Sequence, residues 1–220
     1  MTDTINSSQT KVVDEDFPIW LLGDSPSNSP SAKDQNLTPL DPRHPTRHSI
    51  WTPICDVIQR HLFIKYKLRL DDSKLFIRNA VSKSTYKEEG NKEFEKQIDE
   101  FGKMMIKHNP FLVLCFGQFA YEFALRAQKM PSQNWKLWII PKLSKKFDER
   151  IKEGQLGRVT LLLPLLHASA ARSFQSATTH FSGGRPNYFE YVGGKIANVL
   201  IDSIENHTDD RLDNIWLPTN

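Results

Sequence analysis

Three side chains capable of chemistry stand in or just after short apolar runs. Asp24 follows Phe17-Pro18-Ile19-Trp20-Leu21-Leu22-Gly23. Asn79 lies near the end of Lys74-Leu75-Phe76-Ile77-Arg78-Asn79-Ala80-Val81, and His167 follows Val159-Thr160-Leu161-Leu162-Leu163-Pro164-Leu165-Leu166. A further run, Phe111-Leu112-Val113-Leu114-Cys115-Phe116, is closed by Gly117. The four ends offer a carboxylate, an amide, a glycine turn and an imidazole. A carboxylate can hold a water or stabilise a cation. An amide presents donors and an acceptor, and an imidazole can donate or accept near neutral pH. Each also has a plainer use: an aspartate capping its own turn, an asparagine closing a strand, a histidine satisfied by backbone.

The elements that must position these groups follow from hydrophobic pattern. The four apolar runs read as buried strands. Thr52-Pro53 starts a helix to about Tyr66, a hydroxyl N-cap with proline at the first helical position. A helix near 91–108 carries the stripe Phe94, Ile98, Phe101 and Met105, and Asn109-Pro110 ends it. Residues 118–129 and 187–206 read as further helices. Strands alternating with helices predict an α/β fold: a three-layer α/β/α sandwich around a central, mostly parallel four-stranded sheet. Ligands of such folds bind at the carboxyl ends of the strands, where Asp24, Asn79, Gly117 and His167 stand. The proline- and serine-rich stretch 24–49 reads as a long loop, a class of loop that is usually functional.

Of the 220 residues, 39% are hydrophobic and 25% charged, which suits one folded α/β domain. The expected division is a flexible polar tail over 1–16, a single domain over 17–206 and a C-terminal tail over 207–220. No apolar run approaches the ~18 residues of a membrane span. The first sixteen residues lack the basic and apolar regions of a secretory signal, so the cytoplasm is the default compartment. Cys55 and Cys115 are too few for a disulfide framework, a four-thiolate zinc site or an iron–sulfur cluster, and both read as core. A net charge of +3 permits a nucleic-acid partner without arguing for one. Neither a Gly-x-Ser-x-Gly elbow nor a P-loop is present, which weakens the case for a small-molecule α/β hydrolase.

Four motifs in order carry a resemblance. Gly23-Asp24-Ser25-Pro26-Ser27 resembles the first motif of the uracil-DNA glycosylase superfamily, a Gly-x-x-Pro loop after the first strand. Leu75-Phe76-Ile77-Arg78-Asn79-Ala80-Val81 resembles the strand that delivers that superfamily's base-reading asparagine. The stretch 110–120, with Cys115-Phe116-Gly117 inside it, resembles its third strand and turn. His167-Ala168-Ser169-Ala170-Ala171-Arg172-Ser173 resembles its second motif, usually His-Pro-Ser, with Ala168 in place of the proline. The resemblance spans roughly residues 17–200.

The resemblance implies a monofunctional DNA glycosylase that flips a nucleotide from DNA, hydrolyses its N-glycosidic bond and leaves an abasic site. Extrusion costs a few kcal/mol. Bond cleavage places positive charge on the sugar and negative charge on the base. Asp24 is then the catalytic carboxylate that holds water and stabilises the cation. His167 donates to the departing base. Asn79 reads the base edge, and its amide can face uracil, thymine or cytosine by turning over. Ser27, Trp51 and His48 are expected around the base, with Trp51 alternatively core. Ser25, Ser169, Arg172, Ser173 and Arg185 are expected at DNA phosphates. Phe181-Ser182-Gly183-Gly184-Arg185-Pro186 is a further candidate DNA-facing loop, and Asn187 either belongs to it or caps the following helix. Lys142, Lys145, Lys146, Arg150, Lys152 and Arg158, interleaved with acids, read first as a solvated helix face and second as a DNA contact. Neither metal nor organic cofactor, membrane or obligate protein partner is implied. A lyase step is not expected, because no lysine stands at a motif position.

The small Ser27 stands where strict uracil enzymes carry a bulky aromatic, so a 5-substituted pyrimidine is admitted. The chain is also similar to phage-defence glycosylases that remove glucosylated hydroxymethylcytosine from modified phage DNA. Asp41, Arg43, His44, Arg47 and His48 of the long loop can supply polar partners to a sugar. Uracil or thymine-mismatch repair and a catalytically silent DNA-binding relative remain alternatives.

Overall fold

The computed structural model describes residues 17–26, 52–87, 90–154, 159–173, 179–181, 187–207 and 209–218. Its centre is a sheet of four parallel strands: β1 (Ile19–Gly23), β3 (Leu75–Asn79), β4 (Leu112–Phe116) and β5 (Leu161–Leu165), in the order β3-β1-β4-β5. β1 is central, with Leu21 opposite Ile77 on one side and Leu114 on the other. All five residues of β1, β4 and β5 are buried, which is why these strands read as unbroken apolar runs rather than alternating ones. β3 is an edge and only half-buried. Pro164 interrupts β5 opposite Cys115, and β5 tolerates it because it is the other edge of the sheet.

Helices cover both faces, giving the expected three-layer α/β/α sandwich. They are α1 (Thr52–Tyr66), α2 (Lys92–His108), α3 (Gln118–Ala127), α4 (Ile140–Gly154), the short α5 (Ala168–Ser173) and α6 (Tyr188–Asn206). The stripe foreseen on α2 is buried at Phe94, Ile98, Phe101 and Met105. Asn109 ends α2 in the left-handed conformation at φ 41°. α1 lies against α6, where a Cβ on Gly193 would stand 2.6 Å from Val57 Cβ, so only glycine permits the approach. Asn187 caps α6 by accepting from the Glu190 N–H at 3.2 Å, which settles its alternative. Of the basic stretch after residue 141, Lys142, Lys145 and Lys152 are exposed on α4, Arg150 is largely buried and Arg158 lies outside the described residues, while the inner face of α4 buries Leu143, Phe147 and Ile151.

The segment after residue 206, expected as a tail, is docked. β6 (Trp216–Pro218) pairs antiparallel with β2 (Leu68–Leu70), and the Gln59 side chain clamps β2 by bonding Leu68 O at 2.9 Å and Leu70 N at 2.6 Å. Leu212 and Ile215 are buried, and the Arg211 guanidinium reaches the carbonyls of Asn109 and Pro110 at 3.1 Å each. Buried leucine and isoleucine, with hydrogen bonds into the strand-entry loop, hold this segment to the domain. Among the described residues no helix is long and apolar enough to cross a membrane.

Candidate functional site

The strand order makes the chain step from β1 to β3 on one side and then return past β1 to β4 on the other. The connections therefore diverge at β1 and β4, and a crevice opens beyond their carboxyl ends. Asp24 follows β1, Gly117 follows β4 and His167 follows β5 by two residues. All three line one cavity of about 160 Å³, together with Phe119, Trp135 and Leu166. Asp24 and His167 flank β4, two strand spacings of about 4.8 Å apart, a gap that a nucleoside can bridge.

Backbone bonds fix the Asp24 turn. The Ala80 N–H donates to Gly23 O at 2.8 Å and the Val81 N–H to Asp24 O at 3.3 Å, tying the exit of β1 to the exit of β3. Asp24 Oδ1 is shut from solvent and forms an ion pair with the Lys87 ammonium. Both side chains are largely buried, Lys87 at 25% and Asp24 at 21% exposure. Lys87 ends a 3₁₀ turn, Ser84–Lys87, and its ammonium also sits 5.1 Å from the centre of the Phe119 ring. The chain thus does place a lysine at the carboxylate, although no motif position announces it. The ground for excluding a lyase step is removed.

Gly117 adopts φ +110°, which side chains rarely tolerate, and a Cβ there would come within 3.3 Å of His167 Cβ. The turn starts α3 at Gln118, so the first-turn N–H groups of that helix, which have no intrahelical acceptor, lie beside the cavity. His167 is set from the other side. The Leu166 N–H donates to Tyr188 Oη at 2.8 Å, and burial pushes that phenol well above its ordinary range, so it stays protonated. The Ser169 N–H donates to His167 Nδ1 at 3.3 Å, and Ser169 Oγ lies 2.9 Å from the same atom. Nδ1 is therefore an acceptor, and the neutral ring carries its proton on Nε2. Ser169, expected at a phosphate, directs its hydroxyl to the imidazole instead.

Phe119 and Trp135 supply apolar walls at right angles, 5.8 Å between ring centres. Phe119 is buried to 1% exposure, and Trp135 is half-buried, with the Lys136 ammonium 5.6 Å from its ring centre. A volume of about 160 Å³ is below the several hundred typical of drug-sized ligands and suits one planar ring.

Asn79 does not join this cavity. It closes β3 opposite Gly23, half-buried, with β1 between it and Gly117. Ser25 is half-buried in the turn after Asp24. Arg172 and Ser173 are placed on α5 by their backbone alone. Ser27, His48, Trp51 and Arg185 lie outside the described residues. The aromatic groups at the cavity are Phe119 and Trp135, which sequence reasoning missed. Phe119 had a usable signal, standing two residues after the glycine turn of a buried strand. Lys87 and Trp135 had none, since each sits in a short 3₁₀ turn outside the strand-and-helix pattern.

On α4, Lys146 pairs with Glu149 at 2.9 Å and Arg150 with Glu153 at 2.6 Å. Lys142 and Lys145 are exposed and have no ion pair among the described residues. No protein-family model, curated protein or solved structure matches the chain.

Proposed function

We propose that the chain is a DNA glycosylase of the uracil-DNA glycosylase type, hydrolysing the N-glycosidic bond of a flipped, 5-substituted pyrimidine and leaving an abasic site. One convergence carries the reading: Asp24 and His167 line one cavity at the switch point of the sheet, together with Phe119 and Trp135. A flipped base lies against Trp135. The C1′–N bond breaks and its electron pair leaves with the base, where the His167 Nε2–H meets the negative charge. The sugar cation forms beside Asp24. Water bonds to C1′, and its proton passes to the carboxylate or solvent. Asp24 pairs with Lys87, and productive binding has to draw Lys87 away toward a phosphate so that the carboxylate faces the cation.

The candidate base is glucosylated hydroxymethylcytosine. Its sugar exceeds the room beside Asp24 and His167, so it would have to project out of this cavity. The cavity size itself favours a second reading, an unadorned uracil or thymine. The test is base release by the purified full chain from DNA carrying uracil, thymine opposite guanine, hydroxymethylcytosine or its glucosylated form. Mass analysis of the freed base identifies the substrate. Release of only the glucosylated base supports the first reading, and release of uracil or thymine the second. No release from any substrate, with DNA still bound, points to a silent binding relative.

A further inference from the structure

A second cavity, of about 460 Å³, opens between α3, α4 and the segment that joins them. Leu125 near the end of α3, Met130 and Trp138 give it apolar walls, and Gln133, Lys146 and Arg150 give it polar ones. Two of these walls are held from within by Glu122, which is only 1% exposed. The Trp138 Nε1–H donates to Glu122 Oε2 at 2.7 Å. The other oxygen accepts from the Gln133 N–H and from Arg126 Nε, each at 2.9 Å.

Arg150 brings a charge into this cavity that the protein itself pairs only in part. Its side chain is 14% exposed. Nη1 donates to Glu153 at 2.6 Å. Nη2 reaches the Met130 thioether at 3.5 Å, a weak acceptor. Nε is shut from solvent with no hydrogen-bond partner among the described residues. Buried polar groups ordinarily find one. Nε and Nη2 share one edge of the guanidinium, the pair of parallel donors that grips a carboxylate or a phosphate. Gln133 Nε2, from the same cavity wall, is likewise shut from solvent without a partner. Tyr121, wholly buried, also stands against the guanidinium, but burial outweighs that charge and keeps its phenol protonated, so it supplies no anion. Glu153 is 51% exposed and holds Nη1 alone, and Lys146 pairs with the exposed side of Glu149. Solvated pairs of this kind are weak, so an incoming anion can compete with them.

We propose that this cavity binds a small organic acid. Its carboxylate or phosphate is gripped by the Nε and Nη2 edge of Arg150, with Gln133 Nε2 and the Lys146 ammonium as further donors, and its apolar body rests on Leu125 and Trp138. The cavity shares no lining residue with that of Asp24 and His167, so the proposal does not depend on the glycosylase reading. The probes are benzoate, phenyl phosphate, neutral benzamide and inorganic phosphate, each titrated into the full chain by calorimetry. Binding of benzoate or phenyl phosphate supports the site, and the tighter of the two names the acid group. Benzamide should bind at least about tenfold more weakly than benzoate. Arg150→Met should weaken the bound acid at least about tenfold, and Gln133→Leu about fivefold. Without ligand, Arg150→Met should unfold at or above the wild-type temperature, because it removes a buried charge that lacks partners. A clear drop in that midpoint would mean that the guanidinium is already satisfied, and would overturn the site. So would the absence of binding by either acid, binding unchanged in Gln133→Leu and Arg150→Met, or benzamide bound as tightly as benzoate. Inorganic phosphate bound as tightly as phenyl phosphate would overturn the organic ligand. Displacement of phenyl phosphate by duplex DNA would assign Arg150 to a nucleic-acid backbone and overturn the small ligand.

Discussion

The Ser169 N–H lies 3.3 Å from His167 Nδ1, and because an amide N–H can only donate, the imidazole presents its own proton from Nε2. Removing a single preorganised donor to a developing anion costs on the order of 10²–10³ in rate. His167→Ala should therefore slow base release by that factor while DNA affinity holds. Ser169→Ala keeps the backbone donor and should cost no more than about threefold. A loss as large as that of His167→Ala would mean that the hydroxyl, not the N–H, sets the tautomer.

Asp24→Asn preserves shape and removes charge. Base release should fall at least about 10²-fold, with binding of abasic-site DNA retained. Single-turnover assays and an electrophoretic binding titration separate the two. Unchanged release would remove Asp24 from the mechanism.

Lys87 sits where a nucleophilic amine could reach a sugar, but its partners, Asp24 in the free chain and a phosphate in the proposed complex, are both anions that engage it as an ammonium. An ammonium has no lone pair to attack with. The expected product is an intact abasic strand that breaks only with added alkali. Borohydride should trap no covalent adduct. An adduct that vanishes in Lys87→Met would make the enzyme bifunctional.

Glu122 is a buried carboxylate satisfied by Arg126, Gln133 and Trp138. Glu122→Ala removes the acceptor those donors share and should cost about 3 kcal/mol in urea denaturation. Glu122→Gln keeps an acceptor and should cost less. Both should loosen the 135–139 segment, read as faster amide exchange there.

The thiols make stability depend on alkaline pH. Burial first, then the neighbouring Asp56 and Asp72 charges, push Cys55 up to about 12, and burial pushes Cys115 higher still. An unfolded thiol ionises near about 8.5. Above that the unfolded chain sheds protons that the native state keeps, so unfolding becomes easier as pH rises toward the folded values. The thiols' contribution should be constant below about pH 8 and be lost as pH rises from about 9 toward about 12. Replacing both cysteines should flatten that fall in part, since Tyr121, raised to about 12 by burial, titrates in the same direction.

The four sheet strands were legible because burial on both faces demands unbroken apolar runs, and each run lies within about two residues of its strand. Asp24, Gly117 and His167 were legible for the same reason: the residue after a buried strand is bound to the rim. Asn79 was placed on the right rim but not in the cavity, because hydrophobic pattern does not reveal strand order, and β3 is the edge. β2 and β6 escaped notice because each is only three residues long and gains its strand character from the other, far away in sequence. Lys87 and Trp135 escaped because tertiary contacts, not periodicity, bring them to the site.

The position of β1 has a consequence for how the molecule assembles. The strand nearest the start of the chain is the middle of the sheet, and both neighbours arrive later, at Leu75 and Leu112. No two sheet strands form a hairpin, so each pairing must close a long loop before any ladder forms. Such topologies fold slowly for their size. Until Phe116 has joined, Ile19-Trp20-Leu21-Leu22 is an apolar strand with an open edge, which makes refolding yield sensitive to protein concentration.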